Sequence, residues 1–206
     1  MHLTFRRISV VPAIVVVVAL GAAGCGSSSS SSTTASTATA APAASAPVAV
    51  VGRDTSVVLN PLTAQALKAA GVSIAPIAPA TAKTGVLIFP ESGGQIVVTS
   101  LSGTINHTGG VTLGHEGRSI QLTGFVLNTT TRQITTSVGG QTVPIFNLDL
   151  ASLKRASGPN GTVVVSNVTL TLTAEAASAL NSSLGVTILK EGLPFGVATL
   201  TVAVKS

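Results

Sequence analysis

Few residues of this chain could carry out chemistry, and two histidines and a glutamate near its centre are the first candidates. His107 and His115 flank Gly109-Gly110, and Glu116 directly follows the second histidine. Imidazole and carboxylate groups bind metal ions and polar ligands. We therefore take His107, His115 and Glu116 as the candidate ligand-binding residues.

A metal site shared by the two histidines conflicts with the hairpin that Gly109-Gly110 predicts. With a two-residue loop, the side chains of His107 and His115 point to opposite faces, because side chains alternate along a strand. With a three-residue loop they share a face but lie about 13 Å apart along it, from the rise per residue. Neither arrangement brings both within about 2 Å of one zinc ion. The spacing predicts two solvated histidines and no metal site.

Catalytic motifs are missing from the sequence. It contains no G-x-S-x-G nucleophile elbow, P-loop, dinucleotide fingerprint or EF-hand. Asp54 or Asp149 could be combined with one of the many serines into a Ser-His-Asp triad, but no nucleophile motif supports that arrangement. Glycoside hydrolysis would need two acids in one cleft. The chain has only six acidic residues, mostly isolated from one another. We therefore predict no catalytic residues and a protein that is not an enzyme; an enzyme of unknown type is an alternative.

The one cysteine of the chain, Cys25, is explained by its position. Arg6-Arg7 form a short positive segment, and an apolar run follows from Val10 to Ala23. This run of about 14 residues is typical of a signal-peptide core and is shorter than the roughly 20 residues that span a membrane. Small residues directly precede Cys25. The passage resembles the bacterial lipobox, although Ala22 stands where leucine is usual.

The resemblance to the lipobox implies that residues 1–24 are a signal peptide and that Cys25 carries lipid, palmitate included, through its sulfur. Two acyl chains suffice for stable anchoring, at roughly 0.8 kcal/mol for each buried methylene. We therefore expect a lipoprotein on the outer face of the cell membrane, held there by its lipid. An ordinary signal peptide cut near Ala22-Ala23, with Cys25 incidental, is the alternative.

Composition changes twice after the cysteine. Residues 26–47 are only Ser, Thr, Ala, Pro and Gly, so they cannot bury enough surface to fold. We predict a disordered tether over residues 25–47 and a single β-rich domain over residues 48–206. Without Arg6 and Arg7, 9 of the 11 basic residues remain against 6 acidic ones. They are scattered, and Trp and Tyr are absent, so nothing indicates a nucleic-acid partner.

The sequence of the domain predicts a series of short strands. Ser119–Leu127 and Thr162–Thr171 alternate between apolar and polar residues, as half-buried strands do. Many short strands between glycines and prolines predict a mainly β fold, an antiparallel sandwich or barrel. The other predicted strands are Thr55–Leu59, Val72–Ile77, Gly85–Phe89, Gln95–Ile105, Val111–Gly114, Gln133–Val138, Thr142–Leu150, Val186–Leu189 and Val197–Val204.

Two short helices are predicted from their end signals. One covers Leu62–Ala70, after the capping pair Asn60-Pro61 and before Gly71. The other covers Ala174–Leu184 and stops at Gly185. Each follows a strand and precedes the sequence Gly-Val-x-Ile, which leaves an internal duplication open.

Three passages, Gly103–Gly110, Leu113–Gly117 and Ile120–Thr123, resemble the core of HtaA-type haem-binding domains, which are secreted actinobacterial β domains. The H-x-G-G and F-x-L-D-L signatures also resemble other secreted actinobacterial proteins. The HtaA resemblance implies haem binding or relay, with His115 at the position of the family's conserved histidine. That family binds haem iron through a tyrosine, and this chain has none.

The residues and the resemblance together favour a non-enzymatic surface domain. We expect it to bind a small apolar ligand or a component of the cell envelope, or to act structurally, with no cofactor. The membrane is an expected partner, which the protein would contact through the lipid on Cys25. Haem binding of the HtaA type is the alternative function.

Overall fold

The computed structural model describes residues 45–138 and 140–203, and most of them lie in antiparallel strands. The predicted signal peptide, Cys25 and most of the predicted tether lie outside the described residues. The strands, in chain order, are β1 (Val48–Ala49), β2 (Asp54–Leu59), β3 (Ser73–Ile77), β4 (Thr81–Lys83), β5 (Val86–Val97), β6 (Ser102–His107), β7 (Gly110–His115), β8 (Arg118–Asn128), β9 (Gln133–Val138), β10 (Gln141–Asp149), β11 (Lys154–Ser157), β12 (Val163–Leu172) and β13 (Pro194–Val202).

The helices are α1 (Pro61–Ala69) and α2 (Ala174–Leu184), and a 3₁₀ turn covers Pro159–Gly161. The side chain of Asn60 caps α1 by accepting hydrogen bonds from two backbone N–H groups of its first turn, at 3.0 and 3.2 Å. Both helices lie within one residue of their predicted bounds. Within the described ranges, no helix is long and apolar enough to cross a membrane.

The two passages that look alike in sequence differ in structure after their helices. The Gly-Val-x-Ile sequence that follows α1 leads into β3, which pairs with β7. The equivalent residues after α2 form no strand, so the prediction of a strand at Val186–Leu189 is wrong. The likeness therefore covers a strand and a helix in each passage and ends there.

Eight strands close into an antiparallel barrel. Around the ring they are β5, β2, β13, β12, β10, β9, β8 and β6, and β6 closes the ring because it pairs with β8 on one side and β5 on the other. The other described strands lie outside the ring: β1 and β4 pair with β5, β11 with β12, and β7 and β3 extend the sheet beyond β8. The mainly β, antiparallel prediction is confirmed, and of its two forms the barrel is the one observed.

The prediction of a hairpin at Gly109-Gly110 is wrong. β6 and β7 follow one another along the same neighbour, with β6 opposite residues 126–128 of β8 and β7 opposite residues 118–123. Gly110 lies where this long strand is interrupted, and a Cβ atom there would lie 2.2 Å from the carbonyl oxygen of Leu122. The glycine therefore permits a close approach of two strands. The actual hairpin joins β7 to β8 through Glu116 and Gly117.

β5 is longer than predicted. It continues through Pro90 and Gly93-Gly94, where two separate strands and a turn are predicted. Its register against β6 shifts between Glu91 and Gly93, which marks a β-bulge. Bulges bend a strand and change the direction of its side chains, and they are frequent next to functional sites.

Within the described residues, two cavities lie inside the barrel, and Leu127 lines both. The first, which we name the helix-end cavity, measures about 60 Å³ and lies beneath the two helices, which contribute Leu67 and Leu180 to its wall. The second, the loop-end cavity, measures about 410 Å³ and lies at the opposite end of the barrel. Its deep wall is aliphatic and consists mainly of Ile96, Ile105, Leu148, Val165, Val168 and Leu200.

We expect Gly94→Ala to weaken the β5–β6 pair that closes the barrel. A Cβ atom at Gly94 would lie 2.2 Å from the carbonyl oxygen of Thr104, whereas one at the neighbouring Gly93 would meet no atom within 4 Å. Their φ angles are 140° and 141°, so alanine at either position strains the backbone by about 1–3 kcal/mol.

Gly93→Ala is thus a matched control for backbone strain. The free energy of unfolding, measured by urea denaturation, should fall by about 1–3 kcal/mol more for Gly94→Ala than for Gly93→Ala, because only the former forces two strands apart. Equal losses for the two variants would contradict the close approach of β6.

Candidate functional site

Three buried polar side chains meet inside the apolar barrel. Thr55 of β2, Glu91 of β5 and His107 of β6 are 4%, 8% and 7% exposed. Strand pairing brings them together, because Glu91 lies opposite His107 and Thr55 lies opposite Phe89, two residues before Glu91. Thr55 and His107 also line the helix-end cavity. The polar cluster therefore lies at the seam where the barrel closes.

Hydrogen bonds connect the cluster in a chain. The hydroxyl oxygen of Thr55 lies 2.8 Å from Nε2 of His107 and 3.3 Å from Oε1 of Glu91. The other ring nitrogen, Nδ1, lies 3.2 Å from the carbonyl oxygen of Phe125. The second carboxyl oxygen of Glu91 accepts a hydrogen bond from the backbone N–H of Arg53 at 3.3 Å.

Two arrangements of hydrogens satisfy this hydrogen-bond chain, an imidazolium beside a carboxylate and a pair in which His107 and Glu91 are both neutral. A carbonyl oxygen can only accept, so Nδ1 of His107 carries a hydrogen and donates it to Phe125. In the neutral ring Nε2 is then an acceptor, and the Thr55 hydroxyl donates its one hydrogen to it. That hydroxyl cannot also donate to Glu91. The contact between Thr55 and Glu91 is therefore satisfied when the carboxyl group is protonated and donates to the hydroxyl oxygen.

The electrostatic surroundings favour the same neutral forms. Burial raises the pKa of Glu91, and this effect outweighs the hydrogen bond from the backbone N–H of Arg53, which lowers it; the charge of Asp54 raises the pKa further. Burial also lowers the pKa of His107 to about 4, against the hydrogen bond to Phe125, which raises it. Both shifts follow from the cost of removing a charge from water.

This cluster does not form a catalytic triad. A hydroxyl bonded to Nε2 of a histidine is the usual pairing of nucleophile and base. In a Ser-His-Asp triad the acid bonds Nδ1 and orients the ring. Here Nδ1 bonds the Phe125 carbonyl and Glu91 contacts the hydroxyl instead. The two acids considered for a triad on sequence grounds, Asp54 and Asp149, are exposed.

The three residues selected from the sequence do not form one site. The prediction of a solvated histidine is wrong for His107, which is buried. His115 lies at the β7–β8 hairpin, where its Nδ1 is 2.9 Å from the carbonyl oxygen of Leu184 at the end of α2. Glu116 is exposed in the turn. In the part of the chain that the structure describes, no group of three or more His, Cys, Asp or Glu could hold a metal ion.

The sequence reasoning missed Thr55 and Glu91, although alternation could have located them. Thr55 shares the inward face of β2 with Val57, and Glu91 continues the inward series of Leu87 and Phe89 in β5. The strand prediction stopped at Phe89 because Pro90 and two glycines follow.

The mouth of the loop-end cavity lies between two turns. The exposed residues that line it are Ser100 and Ser102 near the β5–β6 turn, and Thr130 and Arg132 in the β8–β9 turn. Among the described residues that line this cavity, Arg132 is the one that carries a charge. Its carbonyl oxygen accepts a hydrogen bond from the backbone N–H of Leu148 at 2.8 Å, which fixes the turn against β10.

The chain enters the described structure at the same end. β1 is antiparallel to β5, and Val48 lies opposite Ile96, a residue of the cavity wall. Residues 45–47 therefore precede β1 on the side of the β5–β6 turn. Val202, at the end of β13, also lines this cavity, so both ends of the described chain lie near its mouth.

Comparison with known proteins supports a shared fold and nothing finer. No protein-family model matches the chain, and no curated protein matches its sequence. Among solved structures, the chain is similar to the C-terminal domain of HtaA from Corynebacterium glutamicum, with a TM-score of 0.58 and 12% identity. The match covers 77% of this chain and 99% of that domain. The β domain is therefore HtaA-like in fold.

We expect His107 to stay neutral down to about pH 4, with its hydrogen on Nδ1. Its pKa of about 4 in the folded protein lies below the ordinary 6.5, so between these values the unfolded chain binds a proton that the folded one does not. The contribution of His107 to stability is therefore complete above pH 6.5, and about 3 kcal/mol of it is lost by pH 4. NMR titration of the ring measures both the midpoint and the tautomer.

Glu91→Gln is the matched variant, because an amide is neutral at every pH and can donate to Thr55 and accept from Arg53. The pKa of Glu91 is raised on folding, so its contribution to stability is complete below the unfolded value of 4.5 and declines as pH rises through the folded value. The variant should be more stable than the parent at pH 7 but not at pH 4. A midpoint near 6.5 for His107, or a hydrogen on Nε2, would contradict the neutral pair.

Proposed function

We propose that this chain is a non-enzymatic barrel domain that binds a small apolar ligand in the loop-end cavity. The supporting observation is the cavity itself, about 410 Å³ with an aliphatic deep wall and a polar mouth. Ligand sites typically measure about 300–1,000 Å³, whereas well-packed cores leave few voids larger than a water molecule. Each ligand methylene that enters such a wall contributes about 0.8 kcal/mol to binding.

The proposed setting is the outer face of the cell membrane, with the protein anchored through lipid on Cys25. The lipobox-like passage supports the anchor. The path of the described chain supports a link between anchor and ligand site, because residues 45–47 join the barrel beside the mouth of the cavity. An envelope component with an aliphatic tail would then enter the cavity at the end of the barrel where residues 45–47 join it.

Haem is a poor fit to the side chains of this barrel. The chain has no tyrosine, and both ring nitrogens of His107 are held by Thr55 and Phe125. The helix-end cavity beside that ring measures only about 60 Å³. His115 uses Nδ1 to bond Leu184 at the end of α2, which gives it a structural role. We therefore assign no step of the proposed function to haem.

Filling the loop-end cavity should weaken ligand binding strongly. Val165 is 7% exposed and lines the deep wall, so Val165→Phe places extra volume where the ligand would lie. The neutral fluorescent probe N-phenyl-1-naphthylamine should bind the parent protein and bind Val165→Phe at least tenfold more weakly.

The matched control is Val197→Phe, the same substitution on β13 at a position that is 40% exposed; it should bind as the parent does. Absence of binding to the parent, or equal loss in both variants, would refute an apolar ligand site. In a parallel hemin titration the protein should not shift the Soret band of free hemin, and a shift that is lost in His115→Ala would favour the haem alternative.

The anchor can be tested separately. Mass spectrometry of the protein from its native membrane should give an N-terminal peptide that begins at Cys25 and carries a diacylglycerol. Cys25→Ser should move the protein from the membrane fraction to the soluble fraction. An unmodified thiol, or residues 1–24 still attached, would contradict the lipoprotein assignment.

A further inference from the structure

The loop-end cavity differs from the helix-end cavity in the kind of side chain that surrounds it. All four phenylalanines of the described residues line the helix-end cavity, namely Phe89, Phe125, Phe146 and Phe195. The deep wall of the loop-end cavity consists of Val, Leu and Ile. It offers no aromatic face on which a flat ring could stack. A wall of branched aliphatic groups is suited to an alkyl chain.

The polar groups at the mouth differ in the hydrogen bonds that they already make within the protein. The Thr129 hydroxyl donates to the carbonyl oxygen of Leu101 at 2.6 Å and accepts from the backbone N–H of Gly103 at 2.9 Å, so it serves to hold the two turns together. Ser100 accepts from the backbone N–H of Ser102 at 3.3 Å.

Arg132 reaches the same mouth from the other side. It is the last residue of the β8–β9 turn, and its φ of 55° is the left-handed conformation that Leu101 and Glu116 also adopt in their hairpin turns. Arg132 belongs to the cavity lining and is also exposed to solvent, so its long side chain has room to reach a ligand head at the mouth.

Charge at this end of the barrel is predominantly positive. Lys154 and Arg155 directly follow Leu153, a residue of the cavity wall, and both are exposed. The acids at this end are Asp54, which lies opposite Thr201 of β13, and Asp149 at the end of β10, whose carboxylate accepts a hydrogen bond from the backbone N–H of Ala151 at 2.9 Å. A buried aliphatic chain would thus end beside an arginine, among more cations than anions.

We propose that the ligand of the loop-end cavity is a single aliphatic chain with an anionic head, a carboxylate or a phosphate, and that Arg132 binds the head. This inference rests on the proposed function, because it names the class of ligand for the same cavity. A guanidinium is planar and donates two parallel hydrogen bonds to either kind of head. The chain would lie along Ile105, Val165 and Leu200, and the head would stay in contact with water.

The test compares ligands of one chain length that differ only in their heads. Dodecanoate and dodecyl phosphate, each below its micelle concentration, and dodecan-1-ol, below its solubility limit, are titrated as competitors of N-phenyl-1-naphthylamine. We expect at least one of the two anions to bind about tenfold more tightly than the alcohol, as one charged hydrogen-bonding contact would give. The tighter of the two anions identifies the head. The preference should shrink as salt is added, because the contact is exposed.

Substitutions of Arg132 then test whether this residue causes the preference for the anion. Arg132→Gln should reduce the ratio of anion to alcohol affinity to within twofold, and Arg132→Lys should restore part of it by returning the charge. Lys68→Gln, which removes an exposed cation of α1 at the other end of the barrel, should leave the ratio unchanged.

The outcomes separate this inference from the function on which it rests. Equal affinity for the alcohol and both anions, or a preference unchanged in Arg132→Gln, would overturn the role of Arg132 while leaving an apolar ligand site intact. Failure of all three ligands to displace the probe, with a probe signal that Val165→Phe does not alter, would overturn the cavity as a ligand site.

Discussion

The pairing of β6 with two neighbours is the interaction on which the rest of the structure depends. A curved sheet with β5 at one edge and β8 at the other would expose its concave apolar face to water. β6 bonds both strands and encloses that face. The two cavities and the buried polar cluster exist only because this ring is closed. The close contacts at Gly94 and Gly103, whose Cβ atoms would meet backbone of the facing strand, mark how tightly the seam is built.

The polar cluster gives this seam a defined register. A β5–β6 pair held only by aliphatic contacts could slip by two residues with little change in hydrophobic burial, because a two-residue slip keeps the same side chains on the buried face. Glu91 and His107 lie opposite one another in that pair, and Thr55 satisfies both only when β2, β5 and β6 are correctly aligned. A slipped register would leave buried polar groups without partners, which is costly in an apolar core. The cluster thus favours one alignment of three strands.

Sequence reasoning succeeded where the determining forces are local and failed where they are not. Alternation located most strands, and capping residues located both helices, because these signals act over a few neighbouring residues. The sequence predicts turns at Gly93-Gly94 and Gly109-Gly110, where the structure has paired strands or a close approach of two strands. Glycine marks either a turn or a place where two backbones meet closely, and only the partner strand decides between them. Those misread glycines ended the predicted strands just before Glu91 and His107. Arg132 could not have been found, because its cavity is formed by strands distant in the chain.

The strands left outside the ring have a consequence for association between molecules. The chain is only 8% charged and rich in β-branched residues, a composition that invites edge-to-edge aggregation. Closure leaves few free strand edges, and the outer strands β3, β4 and β11 are five residues long or shorter. Each carries a residue that obstructs further pairing, namely Pro76 in β3, Lys83 in β4, and Lys154 with Arg155 in β11. Three of the sparse charges thus lie on outer strands, where they oppose the addition of a strand from a neighbouring copy.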